Sequence, residues 1–255
     1  MDRFAQLKQK QNLEIVLWRA EKRREQLRQL VPRVQFDLRE AKIALVEYEG
    51  SPLRIWMDKR RGRWEEKQEG LRRDVMNAEA ALREARQALE DQEARCRNAE
   101  EQLAALNDLG DCIDCAGTLE EDQRQELLRR EAGICAEKLM YLLEENRLAL
   151  EAAREWVRPN NRVEGAPGMT EGNLLVQADQ WARKCCEQLI RIAQCGILPD
   201  IHPYFMNPAG YICGVTRYQQ IDRVTMALLA IGDAQLQVGQ LRKEFRAEGI
   251  WEEER

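Results

Sequence analysis

The sequence predicts an all-α protein: a long antiparallel coiled-coil hairpin followed by a three-helix bundle-like body. Three observations carry that prediction. Apolar residues recur at alternating spacings of four and three over two long stretches, which is the signature of helices paired along one seam. Charged residues reach 33% and aromatics only 6%, and Ala, Glu, Arg, Leu and Gln are abundant, a makeup suited to long helices. No stretch alternates apolar and polar residues as a half-buried strand would.

The first helix is expected over residues 3–49, with the seam Leu13, Leu17, Ala20, Arg24, Leu27, Val31, Val34, Leu38, Ala41, Leu45, Tyr48. Pro32 falls inside it, and an interior proline costs about 3 kcal/mol. The heptad phase runs through that proline unbroken, so one kinked helix is predicted. A second series reads Leu71, Val75, Ala78, Leu82, Ala85, Leu89, Gln92, Cys96, Ala99, Leu103, Leu106. Its small residues let two helices approach closely. The segment Gly50-Ser51-Pro52 offers a helix stop, an N-cap and a first-turn proline in succession. These signals favour a tight turn there, with the second helix running from about 52 to 107. The competing register leaves 49–70 as an excursion, pairs Leu45 with Val75, and aligns Arg24 with Gln92 and Cys96. The hairpin domain is placed at 1–107.

The body is placed at 118–249. Thr118-Leu119-Glu120-Glu121 fits a capping box that opens a third helix after the break at Asp108–Gly117. Its inner face reads Leu128, Ala132, Cys135, Leu139, Leu142, Asn146, Ala149, Ala153, Trp156. A fourth helix starts near Thr170, presents Leu175, Ala178, Ala182, Cys185, Leu189 and Ile192, and stops at Gly196. A fifth opens at Thr216 and carries Ile221, Val224, Leu228, Ile231, Val238, Leu241 and Phe245. Long helices with one apolar face pack as a bundle.

Charge is unevenly spread. Residues 1–107 hold 23 Lys+Arg against 20 Asp+Glu, and residues 108–255 hold 17 against 25. Neither balance implies nucleic acid by itself. The opening octet lacks the apolar core of a signal peptide, and no apolar run approaches the ~18 residues of a membrane span. A cytoplasmic location and no membrane partner are therefore expected. Eight cysteines are then expected as reduced thiols, not as a disulfide framework.

Three surfaces compete for a role. Residues 54–73 carry eight basic groups against four acidic ones, and Arg54, Trp56, Arg60, Arg61, Arg63 and Trp64 lie there. Basic groups interleaved with aromatics suit a partner or a nucleic acid backbone, although a solvated face with inward-packed tryptophans accounts for the same residues. Cys112-Ile113-Asp114-Cys115 is half of a zinc site without a second half, and half-exposed cysteines in a polar turn are the plainer reading. In the apolar loop 197–215, Asp200 and His202 have the chemistry of a proton-transfer pair, whereas Tyr204, Phe205, Tyr211 and Ile212 roof the bundle; docking of a partner by the loop, His202 included, is the other reading.

No nucleophile motif, phosphate loop or cofactor fingerprint accompanies these residues, so no catalysis and no cofactor are expected. A helical hairpin ahead of a helical body resembles, in outline, the secondary-channel transcription factors. Their hairpin tips are acidic and this one is basic, so their function does not carry over. The expected role is a non-enzymatic interaction or scaffold protein that binds a protein partner or itself. A nucleic-acid accessory role through the basic tip comes second, and a metal- or redox-responsive helical sensor third.

Overall fold

The computed structural model describes residues 2–157, 171–197, 201 and 217–247. Every regular element among them is helical. The helices are α1 (Arg3–Glu49), α2 (Pro52–Arg60), α3 (Trp64–Ala104), α4 (Cys112–Ala116), α5 (Glu121–Val157), α6 (Glu171–Gln194) and α7 (Arg217–Ala247). A single 3-10 turn, Asn107–Leu109, lies between α3 and α4. No described helix is long and apolar enough to cross a membrane. The chain divides into two compact units, Asn12–Asp108 and Met1–Gln11 together with Leu109–Arg255. The first turns of α1 thus count with the body and not with the hairpin.

In the hairpin unit, α1 is continuous through Pro32. Pro32 faces solvent, where its ring displaces no packed neighbour. No position of either seam series is exposed, and Ala20, Leu27, Tyr48, Leu82, Ala85, Cys96 and Ala99 are buried. Ion pairs across the seam report the register. Arg28 meets Glu93 at 3.0 Å, Lys42 meets Glu79 at 2.8 Å and Arg72 meets Glu49 at 3.5 Å. Steps down α1 are matched by equal steps up α3, so the two run antiparallel.

This register corrects the favoured tight turn. A helix does begin at Pro52, but it lasts nine residues, and α3 begins afresh at Trp64. Ser51 makes no side-chain cap bond, and Gly50 is not in the left-handed region. Gly62 is, at φ 68°, and the Arg61–Arg63 turn around it sends the chain back. Short-range end signals at 50–52 stop one helix and start another. Which helix pairs with α1 is decided by seam burial over many residues, and that sum favours the longer excursion. Arg24 accordingly lies within electrostatic reach of Cys96.

In the body, α5 is the central helix, with α6 and α7 packed along it and α4 against its first half. Small residues explain the close packing. Ala132, Cys135, Ala136, Ala149 and Ala153 of α5, and Ala178, Ala182 and Cys185 of α6, are all buried. Leu139, Leu143 and Leu150 fill the space between these contacts, each contributing about 1.5–3 kcal/mol. The inner faces expected for α5, α6 and α7 are nowhere exposed among the described side chains.

Two helix ends follow different chemistry. Gly196, at φ 85°, closes α6, with Ile197 N–H donating to the Ile192 carbonyl and Gly196 N–H to that of Ala193. Thr118, in contrast, does not cap α5. Its hydroxyl donates to the Cys115 carbonyl at 2.8 Å, and α5 begins only at Glu121. A second small core joins Leu7 of α1 to Cys112, Cys115, Ala116 and Leu127.

Candidate functional site

The tip of the hairpin unit is organised around one inward-facing carboxylate. Tyr48, in the last turn of α1, is buried and donates its hydroxyl to Asp58 Oδ2 at 3.0 Å. Lys67, in the first turn of α3, donates to the same oxygen at 3.2 Å and lies over the Tyr48 ring at 5.8 Å. Asp58, only 6% exposed, therefore ties α2 to both long helices. Burial works against its ionisation. Hydrogen bonds from Lys67 and Tyr48, with the charges of Lys67 and Arg63, outweigh burial and hold the carboxyl below the usual carboxylate range. Burial and the same carboxylate push the Tyr48 phenol up.

Turning Asp58 inward leaves the outer surface of residues 52–63 with one sign of charge. Arg54, Lys59, Arg60, Arg61 and Arg63 are all exposed, and no other carboxylate occurs in that stretch. The apolar side of α2 also faces outward: Leu53 is 68% exposed and Trp56 56%, with Met57 beside them. Arg60 lies 5.4 Å from the centre of the Trp56 ring, and Lys59 lies 4.7 Å from that of Trp64. Trp64 is half-buried, as inward packing anticipates, whereas Trp56 is not. A depression of about 460 Å³ beside this surface is lined by Asp58, Arg61, Arg63, Glu66, Lys67, Gly70, Leu71 and Asp74.

Exposed apolar residues occur along the whole hairpin unit, with Val16 and Leu30 further back on α1 and the rest nearer this end. Phe36, Ile43, Val46, Leu53, Trp56, Met57 and Met76 all fall between positions 36 and 76. Phe36 and Ile43 lie on the side of α1 opposite its seam, as the helical spacing requires. In the body a second uncovered face runs along α7 through Met226, Leu229 and Leu236.

Cys112 and Cys115 lie in α4 and are buried, a departure from the half-exposed turn expected of them. Asp111 caps this helix, accepting from Ile113 N–H at 2.9 Å, and the resulting turn folds the segment over Leu7 and Leu127. Cys115 Sγ donates to the Leu109 carbonyl at 2.7 Å. Among the described residues no group of three or more His, Cys, Asp and Glu side chains could hold a metal. Burial pushes the Cys135 and Cys195 thiols up to about 12, reinforced by the negative charge of Glu131, and Cys185 to the same value. Asp200, His202, Tyr204, Phe205, Tyr211 and Ile212 lie outside the described residues.

One polar cluster has no counterpart in the sequence reading. Glu131, 2% exposed, accepts from Arg191 at 2.7 Å and from Gln11 at 3.0 Å. Arg191 also reaches Asp111 at 3.1 Å, while Gln11 donates to the Leu127 carbonyl at 3.1 Å. The cluster joins the N-terminal turns, α5, α6 and the α4 cap, and its geometry is that of a clasp. The only hint in the sequence is that Glu131 falls four residues after Leu127 and four before Cys135, on a side of α5 that is otherwise apolar.

No protein-family model matches the chain, and comparison with curated proteins and with solved structures finds no match. The residues themselves carry the functional reading.

Proposed function

We propose that this chain is a non-enzymatic interaction protein whose hairpin tip is its docking end, with a protein as the partner. One observation carries the reading: Leu53, Trp56 and Met57 of α2 are exposed together at the turn, beside an arginine-rich surface. Clustered apolar exposure rimmed by polar groups is costly in water and marks contact surfaces. Arginine, tryptophan and methionine are also the residue types enriched where proteins meet. The test is a photo-cross-linking residue in place of Leu53, with one in place of the exposed Arg86 of α3 as control, in the cells that make the protein. A protein adduct specific to position 53 is the expected result, and equal or absent adducts from both positions would sink the reading.

The second reading is nucleic-acid binding at the same tip, and five exposed cations within residues 52–63 favour it. It predicts steep salt dependence of binding to DNA or RNA. The Arg60→Glu/Arg61→Glu/Arg63→Glu variant must then lose binding; retention would exclude this role. For the metal- or redox-responsive reading, native mass spectrometry without chelator is the direct test. Bound zinc or a Cys112–Cys115 disulfide would revive it.

A further inference from the structure

We propose that the tip docks on a second copy of this chain, on the acidic stretch between Asp111 and Glu126, making the protein a self-associating scaffold. This rests on the reading of the tip as a docking end and names its partner. The outward side of α2 offers Leu53, Trp56 and Met57. Five exposed cations accompany it within residues 52–63, whose one carboxylate is turned inward onto Tyr48 and Lys67, and Glu65 and Glu66 follow in the first turn of α3. The surface that fits it is acidic and has apolar side chains within reach.

The chain itself carries such a surface. Between Asp111 and Glu126 stand six exposed carboxylates against one base, Arg124. Each start of a helix there draws acidic residues for local reasons: Asp111 caps α4, and Glu121 and Asp122 occupy the first turn of α5. Glu126 and Asp111 already hold Lys8 and Arg191, Glu121 meets Arg124, and Lys10 and Arg3 lie against Gly110 and Cys115. Asp114, Glu120 and Asp122 remain outward, next to the half-buried Ile113 and Leu119. Four of the five tip cations are arginines, whose planar, weakly hydrated heads suit carboxylates at a contact. A contact between two different patches is either reciprocated by the second copy or passed on to a third. Both raise the mass above that of one chain.

Sedimentation velocity of the full chain at about 0.05 M and about 0.5 M salt tests this, since screening weakens contacts between exposed charges. The parent is expected to associate at low salt and to run as a single chain at high salt. Arg54→Glu/Arg61→Glu/Arg63→Glu and Asp114→Lys/Glu120→Lys/Asp122→Lys are each expected to weaken association by about 100-fold or more, because like charges then face each other. Mixing the two variants should restore it, since the acidic tip of one now meets the basic stretch of the other. That rescue separates docking from misfolding, and unchanged helicity by circular dichroism supports the same point.

A parent that stays a single chain at all concentrations, association indifferent to either reversal, or failure of the mixture would each overturn the proposal. The cross-link from position 53 distinguishes what fails. An adduct to residues 111–126 of another copy supports self-docking. An adduct to a different protein overturns self-docking alone and leaves the docking-end reading intact.

Discussion

Asp58 illustrates how one side chain sets the character of a surface. Its carboxylate is held below its ordinary range by Lys67 and Tyr48, so the folded protein ionises it more readily than the unfolded chain does. Its contribution to stability is complete above the unfolded carboxylate value of about 3.9 and is lost as pH falls through the lower folded value. Thermal melts of the parent and Asp58→Asn are expected to differ most at neutral pH, with the parent more stable. The difference should close on acidification below about pH 4. A gap that widened toward acid would contradict the inward-facing carboxylate.

The thiols behave in the opposite sense. With Cys135, Cys185 and Cys195 pushed up to about 12, these groups are protonated at neutral pH, and the thiolate is the reactive form. Alkylation of the native protein at neutral pH should therefore leave buried Cys135 and Cys185 unmodified. Both should react within minutes in denaturant, as peptide mass spectrometry would read.

Among the elements, α5 has the largest share of the body's packing and also its clearest internal conflict. Asn146 is fully buried at a position where the heptad pattern calls for an apolar residue, and among the described residues neither its oxygen nor its nitrogen has a hydrogen-bond partner. A buried polar atom left unmade costs about 1–3 kcal/mol. Asn146→Leu, which keeps the branching at Cγ but is larger, is expected to raise stability by about 1 kcal/mol in urea unfolding, the removal of two unmade hydrogen bonds outweighing the cost of the added volume. A loss of stability would mean that the amide specifies helix register, as polar residues at such positions can. Helix α2 shows a related tension, since Leu53, Trp56 and Met57 face outward while its aspartate faces in, the reverse of what burial alone would select.

For the whole molecule, the division into units does not follow the helices, because α1 contributes to both. Its first turns supply Leu7 and Gln11 to the body, both fully buried, and the ion pair Lys8–Glu126 at 2.6 Å. Deleting residues 2–11 is thus expected to destabilise the body, through an emptied apolar site and the loss of Gln11 from Glu131, by about 4 kcal/mol. Urea unfolding followed at body positions would read this. A shift confined to the hairpin would show the N-terminal turns to be no part of the body's core.

The sequence by itself determined the helices and their buried faces. A repeat of four and three fixes which side of a helix is apolar, and it does so locally, whatever the helix packs against. So α1, both seams and the inner faces of α5, α6 and α7 were legible, as was the stop at Gly196. Only the tertiary structure decided the hairpin register, since two registers satisfy the same pattern and the choice rests on burial summed along the whole seam. It alone decided the direction of Asp58, whose partners Tyr48 and Lys67 lie ten and nine residues away on different helices. The Gln11–Glu131–Arg191 clasp joins residues 120 and 60 apart along the chain and leaves no periodic trace. Periodicity records which face of a helix is covered; pairings between helices are fixed by geometry that only the folded chain supplies.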